Sequence, residues 1–142
     1  MFITREPISI TDFLSEKIDA SCGASVTFSG IVRNYHEGKI VTRLFYECYE
    51  SMANKQIARI IDRVRQEIQV NSIRLIHRVG SLEIGDLAIV IVVNASHRDE
   101  AYRASRSVID RVKETVPIWK KEFYSDGTHA WTSCQAHESL IP

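Results

Sequence analysis

Three stretches of the chain repeat apolar residues at the three- and four-residue spacing of an amphipathic helix. The first begins at Ser9, which forms a capping-box-like start with Asp12, and Gly23 is placed to end it. The second begins at Ser51, and the third begins at Ser96 and stops at Pro117. The apolar stripes are Ile10, Phe13, Leu14 and Ile18; Ile57, Ile60, Ile61, Val64 and Ile68; and Ala101, Ser105, Val108, Ile109, Val112 and Val116. The pattern therefore predicts three helices that each bury one face.

Between these helices, β-branched and aromatic residues form short runs that are typical of strands. The runs cover residues 2–5, 24–32, 40–49, 72–79, 87–95, 118–124 and 129–132. Residues 87–95 are apolar almost throughout, which predicts a central strand that is buried on both faces. Residues 34–39 form a polar, exposed loop that would join 24–32 and 40–49 in a long hairpin, and residues 125–128 form a second hairpin turn.

This element order predicts one α+β domain, residues 1–142, with a mostly antiparallel sheet. A chain of 142 residues that is 44% hydrophobic can build a single core. The 18 basic and 18 acidic residues balance, which argues against a protein that binds nucleic acid mainly by neutralising phosphates. The longest apolar run, residues 87–93, is too short to cross a bilayer, and no signal peptide is evident, so we expect a soluble cytoplasmic protein.

The cysteines predict neither a disulfide framework nor a metal site. Cys22, Cys48 and Cys134 are odd in number and scattered, so reduced structural thiols are expected. Cys134 and His137 could be combined on paper with other histidines, His36, His77 and His129, but no second unit at ligand spacing exists. No metal and no cofactor is predicted.

A cluster of lysines beside a tryptophan follows the third helix and is a candidate anion site. Lys113 flanks the buried stripe of that helix, and Lys120 and Lys121 follow Trp119 in the next strand. Strand alternation places Lys120 on one face with Glu122 and places Lys121 on the other. A partly desolvated lysine can act as a base, a nucleophile or an oxyanion stabiliser. The alternative is a helix C-terminus that simply carries favourable cations.

A second candidate anion site lies where the third helix begins, at His97 and Arg98. Free backbone N–H groups at a helix start attract anions, and the guanidinium of arginine suits phosphate. In the alternative, Asp99 and Glu100 satisfy this helix end and the basic residues are solvated surface. Arg33 ends a strand beside an exposed loop, where binding residues often lie.

Several segments, in order along the chain, resemble the large, catalytic subunit of molybdopterin synthase. They are Gly23-Ala24 with residues 27–33, Tyr49-x-x-Met52-Ala53, residues 77–80 with Gly85-Asp86, Ser96-His97-Arg98-x-x-Ala101-Tyr102, and Lys113 with residues 117–122 and Trp131. The resemblance covers most of the chain. It implies an α/β hammerhead fold with an added small antiparallel sheet. Some members of that family have an arginine shortly after the tryptophan, where this chain has Cys134-Gln135.

The family's activity is the insertion of two sulfurs into a cyclic pyranopterin monophosphate, which makes the dithiolene of molybdopterin. The sulfur comes from the C-terminal Gly-Gly thiocarboxylate of a small ubiquitin-like subunit, in a heterotetramer built on a dimer of large subunits. By this resemblance the substrate pocket comprises Phe28, Arg33, His97, Arg98, Lys113, Lys120, Lys121 and Glu122, with Lys113 and Lys120 as the catalytic residues.

One geometric expectation comes from the residues themselves. His97 and Lys113 lie on one predicted helix and are separated by roughly 24 Å at 1.5 Å per residue. Both can serve one substrate if His97 and Arg98 come from the second subunit of a two-fold dimer.

The competing hypothesis is a non-enzymatic α+β partner- or RNA-binding module, although an aliphatic central strand lacks the aromatic residues on which bases stack. The sequence contains neither a glycine-rich phosphate loop nor a nucleophile elbow, which argues against an unrelated phosphotransfer or hydrolytic enzyme.

Overall fold

Two β-sheets and three helices make up the computed structural model, which describes residues 1–133. The helices are α1 (Ile10–Leu14), α2 (Glu50–Glu67) and α3 (Arg98–Thr115). The strands are β1 (Ile3–Thr4), β2 (Ala24–Ile31), β3 (Tyr35–His36), β4 (Lys39–Cys48), β5 (Ser72–Arg78), β6 (Gly80–Glu83), β7 (Leu87–Ala95), β8 (Ile118–Tyr124) and β9 (His129–Ser133). The predicted α+β class and the additional antiparallel sheet are confirmed.

The first sheet has the strand order β1-β5-β7-β2, with β1 parallel to β5 and the other pairs antiparallel. As predicted, β7 is an interior strand, and its residues 88–95 are all buried. The apolar stripes of α2 and α3 pack with this sheet into the main core. Every second residue of β5 is buried as well, because one face of that strand meets the same core.

The second sheet has the order β3-β4-β8-β9, and β6 also pairs with β4. A smaller apolar cluster, formed by Val32, Val41, Leu44, Leu82 and Ala88, lies where the two sheets approach each other. β8 and β9 form the predicted hairpin, in which Asp126 accepts a hydrogen bond from the backbone N–H of Thr128 at 2.8 Å. Gly127 has a φ of +87°, as such a turn requires.

The predicted long hairpin between residues 24–32 and 40–49 is wrong. β2 pairs with β7 in the first sheet, whereas β4 pairs with β8 in the second. The segment expected to be an exposed loop instead contains β3, which forms a tight hairpin with β4. Strand pairing follows burial against distant elements, and neighbouring strand patterns do not reveal which partner each strand takes.

The helix starts and ends also differ from the prediction in two places. Ser9 is the N-cap of α1, and its hydroxyl accepts a hydrogen bond from the Asp12 N–H at 3.3 Å. The helix nevertheless stops at Leu14, and Ile18 is exposed. The Ser15 hydroxyl donates to the Asp12 carbonyl oxygen at 2.7 Å, a local bond of the kind that competes with helix continuation. The N-cap of α3 is His97, not Ser96, and it makes no side-chain cap hydrogen bond.

Candidate active site

A cleft of about 260 Å³ opens between the two sheets, beside the C-terminal end of α3. Residues of β2, β4, β5, β7, α3 and β8 line it: Phe28, Gly30, Ile31, Val32, Arg33, Leu44, Tyr46, His77, Ala88, Ile89, Ile109, Val112, Lys113, Ile118, Lys120 and Glu122. In the described part of the chain, its charged side chains are three cations and one carboxylate. The cleft therefore combines apolar walls with a local excess of positive charge, which suits an anionic ligand.

Strand β8 divides its charged residues between two faces, as alternation predicts. Lys120 and Glu122 line the cleft together with Ile118. Lys121 lies on the opposite face, where its ammonium group is 5.1 Å from the centre of the Phe123 ring and 5.8 Å from that of Trp131. The single chain therefore brings Lys120 to the cleft and leaves Lys121 outside it.

The other two cations reach the cleft from the ends of regular elements. Lys113 lies in the last turn of α3, three residues before the Val116 C-cap. Arg33 follows β2 just after a register irregularity between Gly30 and Ile31. A Cβ atom at Gly30 would lie 2.7 Å from Cγ2 of Ile89, so glycine permits the close approach of β2 and β7.

Glu122 is the buried anion of the cleft, with 3% of its surface exposed. Its Oε1 accepts a hydrogen bond from His36 Nδ1 at 2.6 Å and another from the Tyr124 hydroxyl at 3.0 Å. Burial, followed by the hydrogen bond to Glu122, raises the pKa of Tyr124 to about 12, so the phenol keeps its proton at neutral pH and acts as the donor. Neither His36 nor Tyr124 was predicted as a site residue.

His77 is a second cleft residue that the sequence reasoning passed over. Its Nδ1 donates a hydrogen bond of 2.8 Å to the Arg78 carbonyl oxygen, and its ring meets that of Tyr46 edge-on at 5.2 Å. Burial lowers the pKa of His77 to about 4, with a further contribution from the charge of Lys113, so the imidazole is neutral at pH 7. A signal existed in the sequence, because His77 continues the alternation of Ile73 and Leu75 on the core face of β5.

Comparison with known proteins places this architecture in a family. The sequence profile of the MoaE protein family matches residues 3–115. This chain belongs to the MoaE family. The predicted relationship to molybdopterin synthase is thereby confirmed, and with it the enzyme class, because the curated relatives are molybdopterin synthase catalytic subunits.

The similarity of this MoaE family member to these relatives extends along nearly the whole chain. The catalytic subunit of Halalkalibacterium halodurans is 40% identical over 140 residues, which are 99% of this chain and 89% of that protein. That of Bacillus subtilis is 39% identical over 140 residues, covering 99% and 88%. The crystal structure of molybdopterin synthase from Staphylococcus aureus is 39% identical, with a TM-score of 0.86 and coverage of 93% and 96%.

A more distant structure, the complex of subunits 1 and 2 of molybdopterin-converting factor from Helicobacter pylori, shares the fold. Its matching chain is 20% identical, with a TM-score of 0.73 and coverage of 92% of this chain and 88% of that one. The MoaE fold is thus retained at low sequence identity.

Two predicted site residues of this MoaE family member lie far from the cleft of their own chain. His97 and Arg98 are exposed at the N-terminal end of α3, whereas Lys113 is in its last turn. Neither basic residue is among those that line the cleft. The separation expected from the sequence is therefore present in the structure, and one subunit alone does not join these groups to Lys113.

No group of three or more metal-ligating side chains lies close together within residues 1–133. Cys22 and Cys48 are free thiols. Cys134, Gln135 and His137 lie outside the described residues. None of the helices in the described part of the chain is both long and apolar enough to span a membrane.

Proposed function

We propose that this MoaE family member is the sulfur-transferring subunit that converts cyclic pyranopterin monophosphate to molybdopterin. The observation that carries the proposal is the convergence of Arg33, Lys113 and Lys120 on one partly apolar cleft. The pterin substrate is a flat, partly apolar ring system with a phosphate group, and the cleft offers both kinds of surface. Phe28 and the aliphatic residues of β2 and β7 would contact the ring system.

Lys113 and Lys120 are the proposed catalytic residues. The incoming thiocarboxylate is an anion, and its sulfur bonds to a substrate carbon while an oxygen substituent leaves that carbon. Water then hydrolyses the resulting thioester, which leaves the sulfur on the substrate and frees the carboxylate of the donor. Negative charge develops in both steps. Two ammonium groups held beside apolar walls stabilise such charge more strongly than they would in water. Arg33 has the planar donor geometry that suits a phosphate or carboxylate. Because the donor brings its own sulfur, no cysteine, metal or cofactor of this chain is needed for the transfer.

The proposed sulfur donor is a small ubiquitin-like subunit whose C-terminal Gly-Gly carries the thiocarboxylate. The Helicobacter pylori structure is described as a protein–protein complex of two converting-factor subunits, which supports a two-subunit assembly in this fold. A tail that ends in two glycines is narrow enough to enter a cleft of about 260 Å³. In this proposal the tail delivers its sulfur to substrate that is already held by the cations.

We further propose that two copies of this chain form a homodimer in which His97 and Arg98 of one copy complete the cleft of the other. Their position at the opposite end of α3 from Lys113 supports this arrangement. They would contact the substrate phosphate, for which an imidazole and a guanidinium are suitable partners. Lys121 is left out of the proposed site because it faces away from the cleft. The chain would work in the cytoplasm as one domain, residues 1–142, without nucleic acid or membrane.

The decisive experiment is a single-turnover assay with purified protein, cyclic pyranopterin monophosphate and thiocarboxylated small subunit. Formation of the dithiolene product is followed by mass spectrometry. We expect product from the wild-type protein and little or none from Lys113→Ala or Lys120→Ala, with Lys121→Ala as the matched control. A folded wild-type protein that binds the small subunit but yields no product would contradict the proposal.

A further inference from the structure

A short hairpin brings a histidine to Glu122, the buried carboxylate of the cleft. Tyr35 pairs with Ile40 and His36 pairs with Lys39, which leaves the two-residue turn Glu37-Gly38. Both turn residues have positive φ values, 49° and 82°, which is the geometry of a type I′ hairpin. The turn fixes the position of His36, whose side chain is 15% exposed although its neighbours in the turn are open to solvent.

His36 and Tyr124 both act on one oxygen of Glu122. His36 Nδ1 lies 2.6 Å from Oε1, and the Tyr124 hydroxyl lies 3.0 Å from the same atom. The second oxygen, Oε2, takes neither of these bonds. A buried carboxylate requires such donors, because the loss of its hydration costs more than a single weak contact returns.

The cations of the cleft do not pair with this carboxylate. Among the ion pairs within 4.0 Å in residues 1–133, Glu122 pairs with His36, and none joins it to Arg33, Lys113 or Lys120. Lys120 is nevertheless its neighbour on the same face of β8. A carboxylate free to rotate beside an ammonium group of this kind forms an ion pair, which reduces the positive charge available to a ligand.

We propose that His36 and Tyr124 are positioning residues that hold Glu122 away from the cleft cations and so keep those cations free for the anionic substrate. The inference rests on the proposed function and extends it to two residues outside the catalytic set. His36 is the stronger donor because its bond to Glu122 is shorter. The other ring nitrogen, Nε2, lies 3.7 Å from the exposed Glu37 carboxylate, whereas Nδ1 is 2.6 Å from Glu122, so the donated proton is the one on Nδ1.

The test compares His36→Leu, His36→Asn and Tyr124→Phe. The asparagine amide nitrogen occupies the place of Nδ1 and can still donate to Glu122, whereas leucine cannot. We expect His36→Leu to lower kcat/KM about ten- to a hundredfold, mainly through a higher KM for the pterin. This range corresponds to the loss of one hydrogen bond to a charged group. His36→Asn should recover most of the loss, Tyr124→Phe should give a smaller loss, and the exposed His129→Leu should match the wild type.

A double-mutant cycle separates positioning from a general structural effect. If His36 acts through Glu122, His36→Leu should have no further effect on kcat/KM in a Glu122→Gln background, and thermal unfolding should show that each variant is folded. Wild-type kcat/KM in His36→Leu, or losses that simply multiply in the double variant, would overturn the inference.

If His36→Leu does not fold, Tyr124→Phe decides, and unchanged kcat/KM there would overturn the inference. An inactive wild-type protein overturns the proposed function, and this inference with it. An active wild type with an unaffected His36→Leu variant overturns this inference alone.

Discussion

Lys120 and Lys121 are adjacent in β8, yet one lines the cleft and the other stacks against aromatic rings on the opposite face of the sheet. Their side chains are chemically identical and their backbones equally ordered by the pairing with β4. Substitutions at these two lysines can therefore be compared directly, because the residues differ mainly in the face of the sheet to which the side chain points.

We predict that Lys120→Ala lowers the rate of the single-turnover reaction about a hundredfold or more, because it removes a group that stabilises developing charge. Lys121→Ala should change the rate by less than about fivefold, since it removes only cation–π contacts on the face away from the cleft. Rapid-quench measurements with both variants test this. Equal losses in the two would show that the direction of the side chain does not determine its role.

The proposed dimer predicts that two inactive variants restore activity when combined. Lys113→Ala and His97→Ala remove groups at opposite ends of α3, so a mixed dimer would contain one site in which both groups are intact. Random exchange of equal amounts makes half of the dimers mixed, and about a quarter of wild-type activity should return. Refolding the two variants together and assaying turnover checks this.

Lys113→Ala combined with Lys120→Ala is the control for that experiment. Both groups line the cleft of the same chain, so a mixed dimer contains no site with both intact. Recovery in this control, or none in the Lys113→Ala and His97→Ala mixture, would contradict the exchange of His97 between subunits.

The lowered pKa of His77 predicts that the folded protein loses stability in mild acid. Its pKa is about 4 in the folded protein and about 6.5 in an unfolded chain, so below pH 6.5 the unfolded state binds the proton more readily. The stabilising contribution is complete above pH 6.5 and is lost as the pH falls toward 4, to a limit of roughly 3 kcal/mol. Urea unfolding of the wild type and His77→Gln at pH 7 and pH 5 measures it.

In that experiment the wild type should lose more unfolding free energy between pH 7 and pH 5 than His77→Gln does. The exposed His129→Gln variant should behave like the wild type. The same decrease in all three proteins would place the acid sensitivity in other groups.

Gly30→Ala should both destabilise the protein and distort the cleft. The added methyl group would lie 2.7 Å from Cγ2 of the buried Ile89, so β2 and β7 must separate or Ile89 must shift. Overpacking of this kind costs about 1–3 kcal/mol. Chemical denaturation provides the measurement, with Ser29→Ala in the same strand as control. Unfolding free energies that agree between Gly30→Ala and the wild type would mean that the strands have room there.

Patterns of local origin gave correct predictions. The continuous apolar run of β7 placed it inside the sheet, alternation separated Lys120 from Lys121, and the turn residues before β9 located its hairpin. Each of these depends on neighbours within a few residues. The separation of His97 from Lys113 could likewise be predicted, because it depends only on the rise per residue within α3.

The missed features depend on contacts between distant parts of the chain. His36 and Glu122 are 86 residues apart, and no periodicity links them. β2 and β4 look like hairpin partners because only residues 32–38 separate them, but each strand pairs within a different sheet. α1 is shorter than its apolar pattern because Leu14 and Ile18 find no core to pack against.

The two proposed catalytic lysines come from elements that only Val116 and Pro117 separate. One short stretch of backbone links them, whereas Arg33 and His36, the partner of Glu122, come from distant parts of the chain. We therefore expect a change in the β3–β4 hairpin to alter the surroundings of Glu122 while the backbone link between the two lysines stays the same. Under the proposed function, substitutions in β2 or in the β3–β4 hairpin would change substrate affinity while leaving in place the segment that carries both lysines.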